Sequence, residues 1–140
     1  MVFKWCASIL AVLLLTIATI GAIDNYTVNV ANNDKYGAIL TNETFFTLYR
    51  YLSDPQNKDI STCNGDCSKI WPPFYAPNLT VNPDLRSKDF SVITRENGEK
   101  QLTYKGWPLY LYTGDTKPIQ TNGQGLQGLW FVVQYKNLTR

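Results

Sequence analysis

The chain has 140 residues, 44% hydrophobic and 17% charged, with 13 Lys+Arg against 11 Asp+Glu. That length suits one compact domain rather than a multidomain enzyme, and a net charge of +2 without a Lys/Arg cluster excludes the basic stripe that nucleic acid requires. There is no histidine and Met1 is the sole methionine, so Ser-His-Asp or Cys-His catalysis, His-ligated metals and a blue-copper axial Met are excluded within the chain.

The amino end comes first. Lys4 is followed by a charge-free run over 5–23 that ends in small residues, the layout of a secretory signal. The same run is long enough to span a bilayer as a hydrophobic helix, and Lys4 before it with Asp24 after it orients the bulk of the chain outside. Cleavage after Gly21 or Ala22 and retention as an anchor both remain open. The expected organisation is a signal peptide or membrane anchor over 1–22 and an extracellular domain over 23–140. Cys6 lies at the start of the apolar run, the wrong end for lipidation.

Two features agree with export. Asn25, Asn42, Asn78 and Asn137 each head an Asn-x-Thr sequon, modestly above the roughly two that this content of Asn, Ser and Thr gives by chance. Beyond the leader, Cys63-Asn-Gly-Asp-Cys67 holds the remaining two cysteines, and an even count outside the cell reads as one structural disulfide. A redox dithiol suits Cys-x-x-Cys better, and Asp66 beside Cys67 works against a lowered thiol pKa.

From there the apolar period is mostly two. The segments 26–30, 36–40, 45–52, 90–94, 100–104, 108–112 and 129–135 read as strands, rich in aromatic and β-branched residues and separated by Gly, Pro, Asn and Asp. Asn97-Gly98 is the strongest hairpin signal and suits a type I′ turn. Short helical turns fit 66–70, ahead of Trp71-Pro-Pro, and 83–87, where Asn82 serves as a cap. The expected fold is all-β, a single antiparallel sandwich or small barrel. The segment 26–30 is either an edge strand of its own domain or one donated to a neighbour.

Internal repetition is the most informative property. Leu48-Tyr49-Arg-Tyr51-Leu-Ser-Asp54 aligns with Leu109-Tyr110-Leu-Tyr112-Thr-Gly-Asp115, 61 positions on, and each copy is followed by a tryptophan, Trp71 or Trp130. Two copies of one strand–turn unit predict a pseudo-twofold domain with repeats at about 36–73 and 90–133. On a strand Tyr49 and Tyr51 share one face and Leu48 takes the other, and Tyr110, Tyr112 and Leu109 divide likewise.

These segments resemble the exported repeat proteins, often lipoproteins, of uncharacterised function whose signature is Tyr-x-(Phe/Trp/Tyr)-x-x-Asp. The surroundings resemble that family too: Ser61-Thr-Cys63 through Cys67 into Trp71-Pro-Pro73, then Tyr104-Lys-Gly-Trp-Pro-Leu-Tyr110, and Thr121-Asn-Gly-Gln-Gly125 leading to Gly128-Leu-Trp-Phe-Val-Val133. The resemblance spans about 36–133 and implies an envelope or surface protein, without supplying a reaction.

Candidate sites follow. Asp54 and Asp115 are equivalent carboxylates that an axis of symmetry could join as an acid/base pair or cation grip, although turn hydrogen bonding is the ordinary job beside Pro55 and Gly114. The segment 54–59 lacks the alternating oxygens and glycine of a calcium loop. Gly123-Gln-Gly-Leu-Gln-Gly128 matches a dinucleotide fingerprint in letters only, since a strand follows it instead of a helix. Trp71 and Trp107 are candidate interaction residues, Trp107 being expected at the surface between Gly106 and Pro108. No cofactor, metal or small-molecule substrate is indicated. The expectation is a non-enzymatic, N-glycosylated, secreted or membrane-face module with an envelope or membrane protein as partner. The alternatives are an accessory subunit of an extracellular electron-transfer complex and a carboxylate hydrolase using Asp54 and Asp115.

Overall fold

A computed structural model describes residues 25–136. The leader over 1–22, the run 5–23 with Cys6, and the sequon at Asn137 lie outside the described residues.

The described chain is mostly β and antiparallel. Strands β1 (Val28–Asn33) and β2 (Gly37–Asn42) form one hairpin; β3 (Tyr49–Tyr51) pairs with the last strand, β7 (Trp130–Val132). Between them, β4 (Phe90–Thr94), β5 (Lys100–Tyr104) and β6 (Trp107–Pro108) make a three-stranded meander. The helix α1 (Asp66–Ile70) falls where the sequence places it, and Pro72 and Pro73 follow at once. Around 83–87 there is no helix. Asn82 accepts from the Asp84 N–H in an Asx turn, and a single 3₁₀ turn follows at Ser87–Asp89. The segment 26–30 is part of the domain's own sheet, since β1 pairs with β2 and Val28 also bridges Val81.

The hairpin turn at Asn97-Gly98 departs from the expected type I′ chemistry, which occurs instead at a second turn. At Asn97-Gly98 only Gly98 is left-handed, with φ 85°, while Arg95 pairs with Glu99 across a three-residue loop, which makes it a type I turn with a glycine bulge. The two-residue turn with both central residues left-handed joins β5 to β6 at Lys105 and Gly106. A Cβ on Gly106 would lie 1.8 Å from the Asn57 side chain, so only glycine fits.

The halves are matched and interlocked. In the first, Leu48 N–H donates to Leu40, Leu40 to Val133 and Val133 back to Leu48, a closed ring of main-chain bonds. In the second, Leu109, Leu102 and Phe74 form the same ring. Val133 comes from the second repeat and Phe74 from the first, so each repeat lends its closing segment to the other. On the line between them Tyr49 and Tyr110 exchange both main-chain bonds, at 2.8 and 3.0 Å.

Strand alternation then sorts the core as expected. Leu48 and Leu109 join Val28, Leu40, Leu102 and Phe90 in one apolar cluster, while Tyr49, Tyr110, Trp71 and Trp130 fill a second on the opposite face. Because the closing segments are exchanged, a cut between the repeats should not release them. With a protease site placed at Arg86–Ser87, in the exposed link, both fragments should co-elute after cleavage and separate only in denaturant. Separation in native buffer would contradict the exchange.

Candidate functional site

The repeat motif builds the centre of the molecule, and its pairing crosses from one half to the other. Tyr49 Oη donates to Asp115 Oδ2 at 2.6 Å, and Tyr110 Oη donates to Asp54 Oδ2 at 2.6 Å. Each aspartate sits three residues past the second motif tyrosine, in a turn closed by its own N–H to Tyr51 or to Tyr112. Their second oxygens accept from main-chain N–H groups farther on: Asp54 Oδ1 from Thr62, with the Thr62 hydroxyl as well, and Asp115 Oδ1 from Asn122. Both acids are buried, and both oxygens of each are engaged. Each carboxylate is therefore engaged in hydrogen bonds across the repeats and within its own turn, the ordinary job expected beside Pro55 and Gly114.

The two ends differ. On the Asp54 side, Tyr110 Oη also meets Ser61 Oγ at 2.7 Å, and buried Arg95 donates to Ser61, to Gln101 and to the carbonyl of Cys63. The Asp115 side has Gly123 N–H pointing at Tyr49 Oη, 3.3 Å away, and no guanidinium among these contacts. A Cβ at Gly123 would come within 2.6 Å of Trp71, which explains a glycine there without any nucleotide. Its equivalent in the first repeat is Cys63, bonded to Cys67 with the Cα atoms 5.2 Å apart. The disulfide staples the loop whose carbonyl holds Arg95.

Burial raises the pKa of both carboxyls above the ordinary value of 3.8, with hydrogen bonds from Tyr110 and Thr62, or from Tyr49 and Asn122, pulling the other way. Burial and the neighbouring carboxylates likewise push the Tyr49 and Tyr110 phenols far up. The linkage has a definite sign. As pH rises past 3.8 the unfolded chain ionises first, so the stability these acids contribute is complete at acid pH and drains away up to their raised folded pKa. The urea midpoint should therefore fall between pH 4 and pH 7, and less steeply in Asp115→Asn. A midpoint that rises over that span would refute this account.

The indoles are where sequence reasoning fails. Trp107 is 1% exposed and Trp71 5%, so neither offers a surface for a partner. Trp107 opens β6 at the strand start as expected, but the Arg50 guanidinium, from β3, lies over its ring at 5.0 Å. Trp71 stacks on Trp130 with centroids 3.8 Å apart and planes 2° from parallel. Tyr51 stacks on the far side of Trp130 at 4.2 Å and Tyr112 on the far side of Trp71 at 4.3 Å. The column Tyr51–Trp130–Trp71–Tyr112 thus repeats the symmetry of the fold, with its two end tyrosines half-buried.

The sequons are unequal. Asn25 and Asn78 are exposed, and their threonines, Thr27 and Thr80, bond to one another. Asn42 is 8% exposed, and its Oδ1 accepts from Thr44 N–H, the Thr44 hydroxyl and Phe46 N–H, so its side chain is committed to the β2 turn. Among the described residues no group of three or more Cys, Asp or Glu is placed to hold a metal ion, and no helix is long and apolar enough to cross a membrane.

The chain matches twice the family described as a secreted repeat of unknown function, over residues 30–75 and 91–134. It belongs to that family, and the two matches coincide with the two halves of the fold. Searches among curated proteins and among solved structures each return no significant match.

Proposed function

We propose that this secreted repeat protein works outside the cell as a non-enzymatic module that braces a membrane-bound assembly through contact with an envelope protein. The supporting observation is a strained apolar corner. Phe45 and Ile119 both adopt left-handed backbone, with φ 64° and 62°, and Ile119 N–H donates to the Phe45 carbonyl at 2.8 Å. In the other half the corresponding bond runs from Asn57 to Gly106, two residue types that tolerate that backbone. Phe45 and Ile119 are nevertheless retained at 44% and 37% exposure, at a cost of about 1–3 kcal/mol each for the backbone. Large apolar side chains kept exposed at strained positions fit a contact surface better than a core.

The repeat tyrosines and aspartates join the halves in this reading, and the leader over 1–22 delivers the module or, uncleaved, holds it at the membrane through the run 5–23. The glycans belong on Asn25 and Asn78, leaving Asn42 bare. A photo-crosslinking residue at position 45 of the exported protein should give a discrete adduct with one envelope protein. The same residue at Val92, also exposed and apolar, should not. No adduct from 45, or the same products from both positions, would overturn the proposal.

A further inference from the structure

Six aromatic rings form one connected body. The four-ring column has its ends half-buried near the surface, and two more rings meet it edge-on: Tyr49 lies 5.3 Å from Trp71, and Tyr110 lies 5.1 Å from Trp130. Tryptophan and tyrosine are among the side chains most readily oxidised by one electron, and stacked rings in contact let the vacancy pass between them. A tyrosine holds such a vacancy only if its phenolic proton can leave, because the oxidised phenol is a strong acid. That requires a base within hydrogen-bond reach. Tyr49 and Tyr110 have one each, at 2.6 Å, in the carboxylates of Asp115 and Asp54.

We propose that this body is a one-electron relay whose resting place for the vacancy is Tyr49, with Asp115 as its proton acceptor. The oxidant is a high-potential one-electron acceptor of the oxidised metal-complex or ferryl-haem class, meeting the column at Tyr51 or Tyr112. It gains the electron that leaves the rings. Tyr49 loses that electron in net terms, its Oη–H bond breaks, and the proton forms an O–H bond on Asp115 Oδ2, leaving a neutral tyrosyl radical beside a neutral carboxyl. Re-reduction by one electron from a small reductant returns the proton to Oη. Tyr49 is the better terminus because Asp54 also feels the cation of Arg95, which disfavours proton uptake there. Tyr110 further shares its oxygen with Ser61. The relay stands apart from the contact proposal: it concerns the interior rings, whereas contact concerns the Phe45 corner.

The test uses the full chain and photogenerated ruthenium(III) tris-bipyridine, with freeze-quenched electron paramagnetic resonance as the readout. The expected result is a neutral tyrosyl signal that is largely lost in Tyr49→Phe and forms at least about 100-fold more slowly in Asp115→Asn. Circular dichroism checks that both variants stay folded. A solvent deuterium effect on radical formation in the unmodified protein is a second measurement that needs no variant. A signal of undiminished yield in folded Tyr49→Phe, or no deuterium effect, would overturn the proposal.

Discussion

Asp54→Ala should lower the stability of the domain by about 3–5 kcal/mol, well beyond the cost of the same change at Asp115. The carboxylate is 2% exposed and accepts from the Tyr110 phenol, the Thr62 N–H and the Thr62 hydroxyl. Alanine strands all three donors in a site that water does not reach. It also removes the negative charge that faces Arg95, itself 4% exposed, so a buried cation loses its compensation. Asp115→Ala strands the Tyr49 phenol and the Asn122 N–H but uncovers no cation among these contacts, which sets its cost at about 1–3 kcal/mol. Urea unfolding of the two variants side by side measures the difference. Equal losses would mean that the Arg95 side of the network carries no extra electrostatic weight.

What the sequence made legible was local. Strand alternation is a property of neighbours, so the division of Leu48 from Tyr49, and of Leu109 from Tyr110, follows from the pattern alone and holds in the folded chain. The disulfide was legible for the same reason, its cysteines being four residues apart. Pairings between distant segments were hidden. Each motif contains both a tyrosine and an aspartate, and nothing in the letters says that Tyr49 bonds to Asp115 rather than to Asp54. That choice is set by the exchange of closing segments, visible only once Phe74 sits with Leu109 and Val133 with Leu48. Trp107 misled because its cover, Arg50, is distant in sequence. Phe45 and Ile119 gave no sign at all, since left-handed backbone is anticipated at Gly or Asn and they are neither.

The exchange and the column reinforce one another. Each closing segment carries one tryptophan across the midline, Trp71 from the end of α1 toward Tyr112 and Trp130 on β7 toward Tyr51, so the rings meet only when both segments have crossed. A single repeat would lack its own closing segment and half the stack. That accounts physically for two copies of the unit in one chain.

Trp130→Ala is the sharpest test of that dependence. The indole is 1% exposed and touches Trp71, Tyr51 and Tyr110, so its removal should cost about 3–5 kcal/mol through lost burial and the cavity left behind. Trp71→Ala should cost a similar amount, because it occupies the matching position against Tyr112 and Tyr49. The informative quantity is the double variant. If the two indoles stabilise the protein mainly through their mutual stack, removing the second costs less than removing the first, and the pair falls short of additivity by about 1–3 kcal/mol. Chemical denaturation of the four proteins gives this coupling directly. Strict additivity would make the indoles independent fillers of two separate pockets, and the halves would then be held together by the segment exchange and the Tyr–Asp bonds alone.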